Sequence, residues 1–203
     1  MPILDHLSFR DYDQVYEPAE DSFLLMDALQ QDLDALRASN ALLVLEVGAG
    51  SGAISACVSQ LLQDQRPPPL HLMTDINGFA ASTAATTCAC NGVRWAEVVQ
   101  TDLVQGLGRR LQRNVDIMIF NPPYVPTPSE EVGSDGIEAS WAGGVDGREV
   151  LDRLLPQIGD LLSPSGALYL VLVEENKPAD IAAVGPFNYL LLSSLLARVT
   201  NLS

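Results

Sequence analysis

At 203 residues with 47% hydrophobic content, the chain is long enough to bury one core and short for two. Its formal charge of -15, from 26 acidic and 11 basic residues, argues against a broad electrostatic grip on a nucleic-acid backbone and favours a protein or small-molecule substrate. Three cysteines cannot all pair, and Cys88 and Cys90 fall on different faces of one predicted helix, so free thiols are expected.

From Met1 onward no basic start leads into an apolar core, so no secretory signal is visible and a cytosolic or nuclear chain is expected. The late apolar stretch from Tyr189 to Leu196 is far below the ~20 residues of a membrane span. The whole chain reads as one domain: an N-terminal segment and helix over 1–40, a core over 41–178, and an atypical segment over 179–203.

Tyr16-Glu17-Pro18-Ala19-Glu20-Asp21-Ser22 precedes Leu25, Leu29, Leu33 and Leu36, which is helical spacing. Pro18 and the acids after it suit a helix start, where carboxylates complement the dipole or, as the alternative, face a ligand. The run Ala41 to Val47 predicts a buried strand, and Gly48-Ala49-Gly50-Ser51-Gly52 follows before an apolar helix. Strand, glycine loop and helix together imply a nucleotide-like cofactor, since glycines let the backbone approach a ligand and the helix start offers free N–H groups. With Ala53 in the last position the spacing also satisfies the dinucleotide pattern, so these residues alone do not separate a nicotinamide cofactor from S-adenosylmethionine.

After Pro67-Pro68-Pro69, Leu70 to Thr74 predicts a second strand ending at Asp75, a carboxylate placed for ribose hydroxyls or for capping the next helix near Gly78. A third strand, Trp95 to Thr101, ends at Asp102, which suits the exocyclic amine of an adenine or another helix cap. His6 and His71 read as packing residues, and no serine or cysteine sits in a nucleophile elbow.

Val115 to Phe120 is a fourth apolar strand that delivers Asn121-Pro122-Pro123-Tyr124. Two prolines stiffen that turn and contribute carbonyls without N–H groups, leaving the side-chain oxygen of Asn121 and the main-chain oxygen of Pro122 as acceptors beside the ring of Tyr124. Such a site suits a planar NH2 group: each hydrogen meets one acceptor, the ring stacks on the plane, and the lone pair faces an electrophile. Val125 to Val145 lacks periodicity, and a loop that long is usually functional or disordered. Trp141-Ala142-Gly143-Gly144 within it is a candidate substrate wall. Val150 to Leu162 predicts a helix broken or restarted at Pro156, and Gly166 to Val173 a fifth strand.

Strands alternating with helices predict a doubly wound, mostly parallel α/β sheet with ligands at the carboxyl ends of its strands. There the sequence resembles the class I, Rossmann-like S-adenosylmethionine-dependent methyltransferases. More closely it resembles the eukaryotic HemK2-type family, which methylates the glutamine of the Gly-Gly-Gln motif in peptide-chain release factors. The similarity runs from about Tyr16 to about Pro178. It rests on Tyr16 to Asp21, Leu45 to Gly52, Thr74-Asp75-Ile76-Asn77, Asn121-Pro122-Pro123-Tyr124, Gly136 to Ala139, and Trp141 to Gly144.

The resemblance implies glutamine N5-methylation, with Ser22, Glu46, Gly48, Gly50, Asp75, Asp102, Leu103 and Asn121 at the cofactor. It assigns Asn121, Pro122, Tyr124 and Trp141 to the substrate and no metal to this chain. It also implies a small zinc-binding activator subunit along the Trp95 to Thr101 edge. Lysine or adenine-N6 methylation, a nicotinamide oxidoreductase and a silent cofactor-binding form are the alternatives. One departure is expected: the resembling fold places a helix and two strands after the fifth strand, on the order of 35 residues. Only 203 − 178 = 25 residues follow Pro178, which predicts a shortened or altered end.

Overall fold

The computed structural model describes residues 1–134, 136–184, 190–193 and 196–200. Its strands are β1 (Leu43–Val47), β2 (Leu70–Asp75), β3 (Ala96–Gln100), β4 (Val115–Phe120), β5 (Leu162–Val171), β6 (Leu190–Ser193) and β7 (Leu196–Thr200). The helices are α1 (Glu20–Gln31), α2 (Leu33–Ala38), α3 (Ala53–Leu61), α4 (Gly78–Cys90), α5 (Gly108–Leu111), α6 (Glu149–Leu161) and α7 (Pro178–Val184). The sheet order is β3-β2-β1-β4-β5-β7-β6. The first five strands pair in parallel, β7 runs antiparallel to β5, and β6 runs antiparallel to β7.

Parallel strands need crossovers, and here the crossovers cover both faces. Successive side chains of a strand point to opposite faces, so each central strand feeds two cores. Val44, Ile117, Ile119, Tyr169 and Val171 pack with Leu25, Leu29, Ile54 and Val58 of α1 and α3. Leu45, Val47, Met118, Phe120, Leu168 and Leu170 pack with Leu151, Leu154 and Ile158 of α6 and with Ile181 of α7. This double burial is why the central strands read as continuous apolar runs.

Several boundaries differ from the sequence pattern. The Leu25 to Leu36 helix divides at Asp32, which leaves helical geometry at φ -88° and ψ 10°. The predicted break at Pro156 does not occur, and α6 runs through it. Pro156 and Asp152, whose carbonyl loses its partner, are both exposed, so water can satisfy that carbonyl. The fifth strand begins at Leu162 rather than Gly166 because Leu162 pairs with Val115 across an irregularity. Ser163-Pro164-Ser165-Gly166 hides that pairing in the sequence. At Gly166 a Cβ would stand 2.6 Å from the Val115 carbonyl oxygen, so the close strand contact needs glycine.

After β5 the structure describes one α-helix and two further strands. α7 spans 7 residues, β6 4 and β7 5, and together they extend the sheet beyond β5. Gly185-Pro186 and Asn188-Tyr189, read as departures from the family pattern, lie outside the described residues.

Candidate active site

In register, Val47 lies beside both Thr74 and Phe120, and Asp75 lies beside Gln100. The carboxyl ends of β1 to β4 therefore share one edge, and the glycine loop, Asp75, Asp102 and Asn121 all follow from it. Two loop amides, Gly48 N and Ala49 N, donate to the Thr74 carbonyl at 2.8 and 2.9 Å. Gly50 N donates to Asp75 Oδ2 at 2.8 Å. Gly48 and Gly50 take φ of +70° and +51°, the left-handed region open to glycine at little cost. A side chain at Gly50 would meet no atom within 4 Å, so the loop presents an open face there.

Asp75 also accepts from Asn77 N at 2.9 Å, yet it does not cap α4. Asn77 does so, accepting from Phe79 N at 2.8 Å and from Ala80 N at 3.4 Å. Burial raises the Asp75 carboxyl above its usual range, partly offset by the Gly50, Asn77 and Ile76 amides.

Glu46 is buried and turned to α3, where the amide of Ser55 donates to its Oε2 at 3.0 Å and the Ser55 hydroxyl donates to the same oxygen. Burial pushes this carboxyl up to about 8, against the Ser55 donors that lower it. In this structure Glu46 braces the strand against the first turn of α3. Asp102 accepts from Arg153 of α6 and, at 3.1 Å, from Gln105 Nε2, both on Oδ2. Leu103 follows at φ +52°, a left-handed conformation that costs a branched side chain energy and marks a constrained turn.

Around Asn121 the structure adds a residue that the site reading lacked. Asp21, 6% exposed, accepts from Asn121 Nδ2 at 2.9 Å and from the Tyr124 hydroxyl at 3.3 Å, both on Oδ2. The Tyr16 hydroxyl lies 3.2 Å from both Asp21 oxygens. Ser22 N donates to Oδ1 at 2.6 Å and the Ser22 hydroxyl donates to it at 3.2 Å. Burial, then the Asp21 charge, pushes the Tyr124 phenol up to about 12 and raises Tyr16 as well. Both phenols therefore stay protonated as donors. With its nitrogen committed to Asp21, Asn121 has a buried Oδ1 with no hydrogen-bond partner among the described residues.

The Trp141 segment stands against this turn. Val125 N donates to the Trp141 carbonyl at 2.9 Å and Gly143 N to the Val125 carbonyl at 2.8 Å, forming a parallel bridge between Val125 and Ala142. Trp141 itself is 38% exposed. Fully buried Asn176 donates through Nδ2 to the carbonyls of Tyr124 and Asp146, each at 2.9 Å, tying the turn to the Val145–Gly147 3-10 turn. A side chain at Gly147 would collide with the Tyr124 carbonyl oxygen, so glycine permits that approach. Neither Asp21 nor Asn176 sits in a local pattern naming a partner. Asp21 is legible as a helix-start acid or a ligand-facing one, and as part of the Tyr16 to Asp21 stretch that carries the resemblance, with no partner named.

Fold and site together define a class I methyltransferase: a Rossmann-like sheet with a glycine loop and an Asn-Pro-Pro-Tyr turn at the carboxyl ends of its strands. Residues 20–135 match the methyltransferase small domain. The chain is 48% identical to human Methyltransferase HEMK2, across 90% of this chain and 83% of that protein. It is 38% identical to the Schizosaccharomyces pombe eRF1 methyltransferase catalytic subunit mtq2, across 97% of this chain and 89% of that one. Among solved structures, the Thermus thermophilus 16S rRNA N2 G1207 methyltransferase shares the fold with a TM-score of 0.62 at 18% identity, covering 92% of this chain and 44% of that one. The chain belongs to the HEMK2-type methyltransferase family and is a methyltransferase.

Proposed function

We propose that this chain transfers a methyl group from S-adenosylmethionine to the side-chain amide nitrogen of the glutamine in the Gly-Gly-Gln motif of a peptide-chain release factor. The buried, unpartnered Oδ1 of Asn121 carries this reading. Such an acceptor costs about 1–3 kcal/mol while unmet, and a planar NH2 group supplies the missing donor. The Pro122 carbonyl takes the second hydrogen, and the Tyr124 ring stacks on the amide plane. Relatives named for release-factor methylation, in fission yeast and in Moorella thermoacetica, support the substrate.

Ser22, Glu46, Gly48, Gly50, Asp75, Asp102, Leu103 and Asn121 would hold the cofactor. The residues fit: the loop is open at Gly50, and Asp75, relieved of capping by Asn77, offers a desolvated carboxylate to ribose hydroxyls. When bound, S-adenosylmethionine supplies a methyl group on a cationic sulfur. An amide nitrogen is a poor nucleophile because its lone pair is delocalised. Asn121 Oδ1 and the Pro122 carbonyl hold its hydrogens out of plane and weaken that delocalisation. The nitrogen keeps its proton until it becomes cationic, so neutral acceptors suffice and Asn121 need not act as a base.

A small zinc-binding activator subunit is the proposed partner, with the zinc in that subunit. Its surface here is the sheet edge at β3, where a groove of about 500 Å³ opens between β3 and α4, lined by apolar Ala85, Val93 and Val98 and by polar Ser82, Arg94 and Glu97 in about equal measure. Trp95, 60% exposed, stands beside it. An open strand edge flanked by partly apolar surface suits strand addition.

The test is transfer of labelled methyl from S-adenosylmethionine to a release factor by this chain, with and without the zinc-binding subunit. Label is expected in the Gly-Gly-Gln factor and absent from a Gly-Gly-Glu variant. Equal labelling of both would refute the assignment.

A further inference from the structure

Asparagine's amide is nearly symmetrical in shape: its oxygen and nitrogen occupy similar volumes, so packing alone does not choose which end faces the substrate. At Asn121 the choice is electrostatic. An ionised carboxylate is an acceptor only, and Asp21 Oδ2 stands 2.9 Å from Asn121 Nδ2, so the nitrogen must face Asp21 and the oxygen, buried and without a hydrogen-bond partner among the described residues, is turned away from it. Asp21 is itself held in place: Tyr16, Tyr124, Ser22 N and the Ser22 hydroxyl all donate to it. Resting on the amide-methylation reading above, we infer that Asp21 is the positioning residue of this reaction, fixing the orientation of the Asn121 amide so that its oxygen is presented to the substrate NH2.

Asp21 does not touch the substrate in this scheme and takes up no proton. It acts through Asn121, and it sets the ranking among acceptors. With the oxygen outward the site accepts two hydrogens. With the amide reversed, an NH2 would face an NH2, and the substrate would be repelled. Tyr16 and Tyr124 donate to the same carboxylate as Asn121, so the aromatic wall of the site and its acceptor depend on one anion.

The test swaps the two groups. Asp21→Asn supplies a donor to Asn121 Oδ1, lets the amide reverse, and is expected to slow single-turnover methyl transfer at saturating cofactor by about 10- to 100-fold, with cooperative unfolding retained at a lower midpoint because five donors lose a charged acceptor. Asn121→Asp sets two carboxylates against each other and is expected to be at least as slow. In the double variant Asp21→Asn with Asn121→Asp, the amide introduced at position 21 donates to one oxygen of the carboxylate introduced at position 121 and leaves the other oxygen as an outward acceptor. The double variant is expected to recover at least about 10-fold over the slower single variant, which a merely structural role would not produce.

A second readout needs no substrate. With cofactor bound, one Asn121 side-chain amide proton should resonate downfield and exchange slowly in the parent protein, and lose both properties in Asp21→Asn. An active parent protein with no rescue in the double variant, or the same Asn121 proton signal with and without the Asp21 carboxylate, overturns the proposal. An inactive parent protein whose proton signal responds as described fails the substrate reading alone.

Discussion

In the proposed function, Asn121 and Asp75 divide the work at the level of single residues. Asn121→Ala removes the outward acceptor and is expected to lower methyl transfer by about 10²–10⁴-fold while leaving cofactor affinity nearly unchanged. Asp75→Ala is expected to weaken cofactor binding by about 1.5–3 kcal/mol, because it removes a charge-assisted acceptor and also frees Gly50 N, which donates to it at 2.8 Å. Single-turnover rates at saturating cofactor and calorimetric titration separate the two, and identical profiles for both variants would contradict the division. Asn121, Pro122 and Tyr124 are legible in the sequence because two prolines and a preceding strand fix their chemistry within a few positions. Asp21 is not, since it lies 100 positions from Asn121 and its own neighbours spell a helix start equally well. Asn176, 52 positions from Tyr124, is equally hidden. Spacing leaves Asp75 between ribose and cap; the cap goes to Asn77, two residues on, through donor geometry that spacing does not encode, and the ribose role stays a proposal.

The same contrast holds for whole elements. β1 to β4 are legible because each is a short apolar run bounded by glycine, proline or acid, and the alternation of strands with helices implies the parallel order. The helix break at Asp32, whose carboxylate accepts from the Tyr169 hydroxyl of β5 at 2.9 Å, and the continuity through exposed Pro156 are not, because both depend on the tertiary surroundings of the helix. The glycine loop carries an element-scale prediction. Gly52 sits at φ +77°, and a Cβ there would stand 2.7 Å from the Ala84 Cα of α4. Gly52→Ala must strain the turn or push α3 from α4, with an expected loss of about 2–4 kcal/mol in urea unfolding. A change below about 0.5 kcal/mol would show that the two helices are not held at this contact.

For the molecule as a whole, stability should depend on pH through His71. It lies 2% exposed in β2 with neither ring nitrogen partnered among the described residues, and burial pushes its pKa down to about 4 from 6.5. The folded state prefers the neutral ring, so this contribution is complete above pH 6.5 and is lost as pH falls towards 4, roughly 3 kcal/mol in all. Urea unfolding at pH 7 and pH 4.5 should show a smaller acid loss in His71→Phe than in the parent, and equal losses would refute this origin. At the β3 edge, Ala85→Arg fills the groove with a charge at an exposed position. It should abolish co-purification with the zinc-binding subunit while moving stability by less than about 0.5 kcal/mol. The most direct test of the whole is to map the transferred methyl group. The chain, with the proposed zinc-binding subunit, would be incubated with labelled S-adenosylmethionine, a Gly-Gly-Gln release factor, a lysine-rich peptide and an adenine-containing oligonucleotide. Label on the glutamine amide nitrogen, abolished by Asn121→Ala, is the predicted result; label on lysine or on adenine with the glutamine untouched would contradict it.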